Sequence, residues 1–240
     1  MGKLEVGPIG LLPPSAAAMG IFQPEKGSGM QLVEGEHIPE DQAFETAAIK
    51  LLTLRNPTLF PGPMLVWGWN KETEHKAKLT LDLVKEVPGM NIIPMPDYRP
   101  IYPKIDPEAV INPCHPNLTI QHNKIHTCVF IGVHCHFANI TLKMIRANTN
   151  CYTMAFCAYD GHEDALLSIR DLDADKLVKI TETIKRVKKK GKVTPWALTP
   201  EGKEELEKIK ATKEKNKAPA KEKADLFMGD LEQGLDENAE

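Results

Sequence analysis

The chain has 240 residues, 42% hydrophobic and 26% charged, an ordinary globular composition that suits one large domain or a compact domain with long ends. A net charge of −3 gives no global pull toward nucleic acid or an anionic membrane, and no apolar run approaches the roughly 18 residues of a bilayer span. Pro13 and Pro14 break up a short apolar start that lacks a basic leader, so no secretory signal is read there and a cytoplasmic location is expected. Cysteines at 114, 128, 135, 151 and 157 are odd in number, which argues for reduced thiols in a cytosol.

Residues 1–40 are rich in Gly and Pro without sustained periodicity and are expected to form an extended arm. Asp41 is a candidate N-cap for an amphipathic helix carrying Ala43, Phe44, Ala47, Ala48, Leu51 and Leu52. The prolines of 56–63 predict a connection, and 64–69 reads as a buried strand. A helix is predicted over 71–87, with Ala77, Leu81 and Val84 on its inner face and Pro88-Gly89 as its stop. A short strand at 91–95 precedes a proline-rich excursion over 96–117. Ile125–Val133 is the strongest strand, followed by a helix at 137–147 with Phe137, Ile140, Met144 and Ile145 inward. Another strand covers 151–158, and a helix over 173–188 repeats Leu177, Ile180, Ile184 and Val187 at helical spacing. Strands alternating with helices predict one α/β domain over 41–190, with an open, mainly parallel sheet covered on both faces. Residues 191–240 read as a charged tail, with Leu226, Phe227, Met228, Leu231 and Leu235 near its end as a docking segment.

In such a sheet, ligands sit at the carboxyl ends of the strands. Three of these ends stand out, and together they supply the candidate cofactor-binding residues Trp67, Gly68, Trp69, Gly132, His134, Cys135, His136, Tyr159, Asp160 and His162. A Gly at a strand-to-helix turn lets backbone N–H groups approach a phosphate, yet any tight turn can need one, and neither GxGxxG nor a P-loop is present. His134-Cys135-His136 offers good metal-ligand types, but its spacing matches no zinc pattern and no CxxC accompanies it, so no metal is expected. Cys135 at a helix start beside two histidines could be a reactive thiol, while Asp160, His162, Glu163 and Asp164 read more simply as a solvated loop, so no catalytic residue is assigned.

Between Phe44 and Val187 the order of elements resembles the epsilon (accessory) subunit family of anaerobic carbon monoxide dehydrogenase/acetyl-CoA synthase complexes. The resemblance rests on the Ala-rich opening helix, the proline loop, the strand ending in Gly132-Val133-His134, the helix Phe137–Arg146, the strand 151–157 and the closing helix after Asp171-Leu172. It implies a Rossmann-like domain of the deoxyhypusine-synthase type, with a proposed flavin (FAD) or other nucleotide at the strand ends. It also implies a hetero-oligomer with a nickel–iron dehydrogenase subunit and no activity of the chain alone. The chain departs from the family in its longer ends, its shorter excursion at 96–117, and Cys135-His136-Phe137 where the family has aromatic residues. The alternatives are a stand-alone nucleotide- or flavin-dependent oxidoreductase, or an accessory subunit of another ferredoxin-linked enzyme. The long, biased ends favour an assembly subunit.

Overall fold

The computed structural model describes residues 19–95, 111, 115–191 and 193–211. Its centre is a pair of parallel strands, β5 (Thr127–Ile131) and β6 (Tyr152–Phe156), buried at every position. Covered on both faces, they are apolar without alternation, as the sequence predicts. β3 (Thr58–Pro61) joins β5 on one side and β4 (Asn91–Ile92) extends the sheet beyond it, both parallel. On the other side of β6 lies β7 (Leu167–Ile169), also parallel. A hairpin, β1 (Met30–Val33) and β2 (Glu36–Pro39), closes that edge antiparallel to β7. The strand order is β2-β1-β7-β6-β5-β3-β4.

Helix α1 (Glu40–Thr53) follows the hairpin directly, and after β3 come α2 (Pro63–Trp67) and α3 (Lys71–Glu86). Next are α4 (Pro116–His122), α5 (Cys135–Asn148) and α6 (Ala174–Lys189). The strands send alternate side chains to two cores, as pleating requires. Leu59, Val129, Ile131, Met154 and Phe156 pack with the inner faces of α1, α3 and α6. Phe60, Cys128, Phe130 and Ala155 pack with α4 and α5 on the opposite face. Cys128, Phe130, Phe156 and Cys157 are all buried, as expected.

Several expectations need correction. The strand predicted at 64–69 is helix α2 and its exit, and the strand lies in the supposed connection. Proline was the misleading signal. Pro61 ends β3 and serves there only as an acceptor, its carbonyl receiving the Met95 N–H at 2.9 Å. Pro63 takes the first turn of α2, where a missing N–H costs nothing. Residues 30–39, expected within an extended arm, pair into the sheet because Leu32 and Val33 bury against its edge. Asp41 is not the N-cap of α1: Pro39 holds that position, and Glu40 and Asp41 lie in the first turn, favourable for the helix dipole. On α3 Ala77 and Val84 pack against the core as expected, together with the buried Thr73, Thr80 and Leu83, whereas Leu81 is 48% exposed. On α5 Phe137 and Ile145 face inward as expected, together with Ala138, Thr141 and Leu142, and Ile140 faces outward. β7 and α4 were not expected. Most of the 96–117 excursion, Cys114 and the whole 212–240 tail lie outside the described residues.

No helix among the described residues is long and apolar enough to cross a membrane. The chain divides into two units after Thr199. The second is described only over 200–211, a helix.

Candidate functional site

The chain leaves β3 toward β4 and leaves β5 toward β6, in opposite directions along the sheet. The connections therefore diverge between β3 and β5 and open a crevice at the carboxyl ends, the switch-point geometry of open α/β sheets. Its volume is about 310 Å³. Met64, Leu65, Asn70 and Thr73 wall one side, Gly132, His134 and Cys135 the floor, and Cys157, Tyr159 and His162 the other side.

Local chemistry fixes each wall. Asn70 caps α3: its side chain accepts from Thr73 N–H at 2.9 Å, and the Thr73 hydroxyl accepts from Asn70 N–H at 3.0 Å. Gly132 sits at φ +65, and the Leu65 side chain occupies the space a Cβ would take, with Cγ only 2.6 Å away. On the far wall, Asp164 is 5% exposed and lies between Lys143 at 2.5 Å and Arg146 at 3.0 Å, both from α5. Those ion pairs hold the 157–166 loop against α5.

Of the predicted site residues, the structure brings Gly132, His134, Cys135, Tyr159 and His162 into one crevice. Trp67 and Trp69 instead stand outside it, 55% and 64% exposed, with their rings stacked at 6.3 Å. Gly68, between them, ends α2 in the left-handed conformation. His136 packs on His134, ring to ring at 5.1 Å, and the exposed Asp160 pairs with the buried Arg170 at 3.2 Å. Asn70, at the end of the 67–70 segment expected there, does line the crevice, whereas sequence reasoning missed Leu65 and Cys157. Cys157 was read as core, and it is buried, but its thiol faces the crevice wall.

One group is closely gathered: the ligand atoms of Cys135, Cys157 and His162 lie within 4.8 Å of one another. His162 Nδ1 lies 2.8 Å from Asn139 Oδ1, and the Tyr159 N–H donates to Cys157 Sγ at 3.4 Å. Burial pushes the Cys135 thiol above its ordinary range, and neighbouring Cys157 adds to the effect.

Burial also pushes His162 down to about 4 from the usual 6.5; Asp164 partly opposes this and Lys143 reinforces it. Between those values the unfolded chain binds more protons than the folded one, so folding stability rises with pH across the window. The contribution is complete above about pH 6.5 and is lost as pH falls toward 4, about 3 kcal/mol in all. Thermal unfolding from pH 7 to pH 4 should therefore fall more steeply for the native chain than for His162→Gln. Parallel curves would show that His162 titrates normally in the fold.

The fold and crevice define an open-sheet α/β protein with a preformed hollow at the switch point. That architecture positions ligands or partners but specifies no reaction by itself. The chain belongs to the CO dehydrogenase beta subunit/acetyl-CoA synthase epsilon subunit family, whose match covers residues 22–185, more than half of the sequence. The match starts ahead of the hairpin β1–β2, so this edge is part of the family domain. No curated protein matches the chain.

Proposed function

We propose that the chain is a non-catalytic accessory subunit of a carbon monoxide dehydrogenase/acetyl-CoA synthase-type complex, bound to its nickel–iron dehydrogenase subunit. The family match over residues 22–185 carries this reading. The surface supports it: Met64, Val66, Trp67 and Trp69 cluster on one short segment with their side chains exposed. Large aromatic side chains of this kind are the usual anchors of protein interfaces.

The flavin or nucleotide expected from the resemblance is not part of this reading. The glycine that would let backbone approach a pyrophosphate, Gly132, is packed against Leu65 instead. A hollow of about 310 Å³ is at the lower limit of ligand pockets and small for a dinucleotide. The residues present do not fit that group, and no step is assigned to it.

Anaerobic affinity purification of the tagged chain, co-expressed with the dehydrogenase subunit, tests the proposal. Stoichiometric recovery of the metal–sulfur enzyme is expected; recovery of the chain alone would overturn the reading. In that complex the double variant Trp67→Ala/Trp69→Ala should lose at least about 2 kcal/mol of binding, roughly thirtyfold in affinity, if these side chains are anchors.

The C-terminal Leu226, Phe227, Met228, Leu231 and Leu235 supply a second expected contact, with the Lys/Glu-rich segment before them as the tether. Removing 225–240 should weaken assembly and leave the melting temperature of the folded core unchanged. Unaltered affinity after truncation would remove the tail from the interface.

A further inference from the structure

We propose that Cys135, Cys157 and His162 form a mononuclear site for a thiophilic divalent cation, zinc being the natural occupant, with its fourth position open to the crevice. The inference does not rest on the assembly reading above, since every ligand comes from this chain.

The three ligand atoms lie within 4.8 Å of one another. In a tetrahedral zinc site with Zn–S bonds of about 2.3 Å, neighbouring sulfurs stand about 3.8 Å apart, so the observed group needs only a small contraction. The ligands also come from independent elements. Cys135 opens α5, Cys157 follows the end of β6, and His162 lies on the loop before β7. Ligands fixed by a helix, a strand end and an anchored loop are held in place before the ion arrives.

The surroundings match those of known metal-binding side chains. A ligating histidine donates its second ring N–H to an outer partner, which fixes its tautomer. His162 Nδ1 faces Asn139 Oδ1 at 2.8 Å, so Nε2 retains the lone pair for a metal. The Tyr159 N–H donates to Cys157 Sγ at 3.4 Å, a bond that favours the thiolate. Charge balance fits as well. Two carboxylates of this loop are already paired, Asp160 with Arg170 and Asp164 with Lys143 and Arg146. Two thiolates therefore neutralise a divalent ion by themselves, and a neutral centre carries little penalty in a buried wall.

The binding step balances simply. Two S–H bonds break, two Zn–S bonds and one Zn–N bond form, and two protons leave to solvent. Two thiolates and one imidazole with an open fourth position is the pattern of sites that admit an exchangeable water or a small donor. Here that position faces the crevice.

The test uses the full chain, purified metal-free and reduced, with its thiols verified as free. Zinc titration in weak buffer should bind one ion and release about two protons per ion. Cobalt(II) at the same site should give an intense thiolate-to-cobalt charge-transfer band and tetrahedral visible bands. Cys135→Ser should lose about half of the charge-transfer intensity, and Cys135→Ser/Cys157→Ser all of it. Asn139→Ala, an exposed position that leaves all three ligands in place, should weaken affinity about 10- to 100-fold. The proposal is overturned by a reduced, folded chain that binds no cobalt, by binding without a thiolate band, or by a band that survives in the double serine variant.

Discussion

Replacing Gly62 with alanine is expected to destabilise the fold by more than about 4 kcal/mol, the exceptional size that severe overpacking against backbone can reach. Gly62 has ordinary extended dihedrals, φ −80 and ψ 170, so the effect is not backbone strain. Its N–H donates to the Ile131 carbonyl at 2.8 Å, and this last ladder bond draws β3 against the end of β5. A Cβ there would stand 2.0 Å from the Gly132 oxygen, 2.5 Å from its carbonyl carbon and 2.6 Å from Val133 Cα. All three are backbone atoms, so no rotamer change relieves the contact and the two strands must separate where the crevice begins. A chain of this size loses roughly 2–4 °C of melting temperature per kcal/mol, so a drop of about 10 °C or more is expected. Gly191→Ala is the control. Gly191 has φ +63 but nothing within 4 Å of an added Cβ, so it should cost only about 1 kcal/mol. Equal melting temperatures for the two variants would mean that the close approach of β3 and β5 is wrong.

Asp164→Ala is expected to cost about 3–5 kcal/mol, the range for breaking a buried ion pair by removing one partner. The carboxylate is 5% exposed and neutralises Lys143 and Arg146, two cations of α5. Without it Arg146, 21% exposed, loses the Asp164 carboxylate in a partly buried setting, while the half-exposed Lys143 is left to solvent. The reciprocal change should be mild. Lys143 is 48% exposed and can turn to water, so Lys143→Met should cost less than about 1 kcal/mol. Chemical unfolding of the two variants measures the asymmetry. Similar losses would show that Asp164 holds the loop through something other than the α5 cations. Because the Asp164 carboxylate opposes the effect of burial on His162, Asp164→Ala should also steepen the pH dependence assigned to His162.

Periodicity and local chemistry determined much of this molecule without help from the tertiary structure. β5 and β6 were legible because burial on both faces leaves a continuous apolar run, and α1, α3, α5 and α6 because their apolar residues recur at helical spacing. The family resemblance followed from the same order of elements, and the match to residues 22–185 bears it out. Two sides of the crevice, at 132–135 and 159–162, were legible too, since strand ends in an open sheet converge where connections diverge, whereas Trp67 and Trp69, expected on the third, lie outside it. What only the tertiary structure decided has a common cause: long-range pairing overrides local preference. β3 contains a proline that local rules assign to a connection, yet its neighbours β4 and β5 supply the bonds that make it a strand. The hairpin β1–β2 carries little periodicity and is ordered by the free edge of β7. Which face of α3 and α5 turns inward depends on the sheet beneath them, so Leu81 and Ile140 point out despite being apolar. Cys135, Cys157 and His162 show no short-range spacing that announces a group. They meet because β5, β6 and β7 lie side by side and the Asp164 ion pairs fold the loop back over α5.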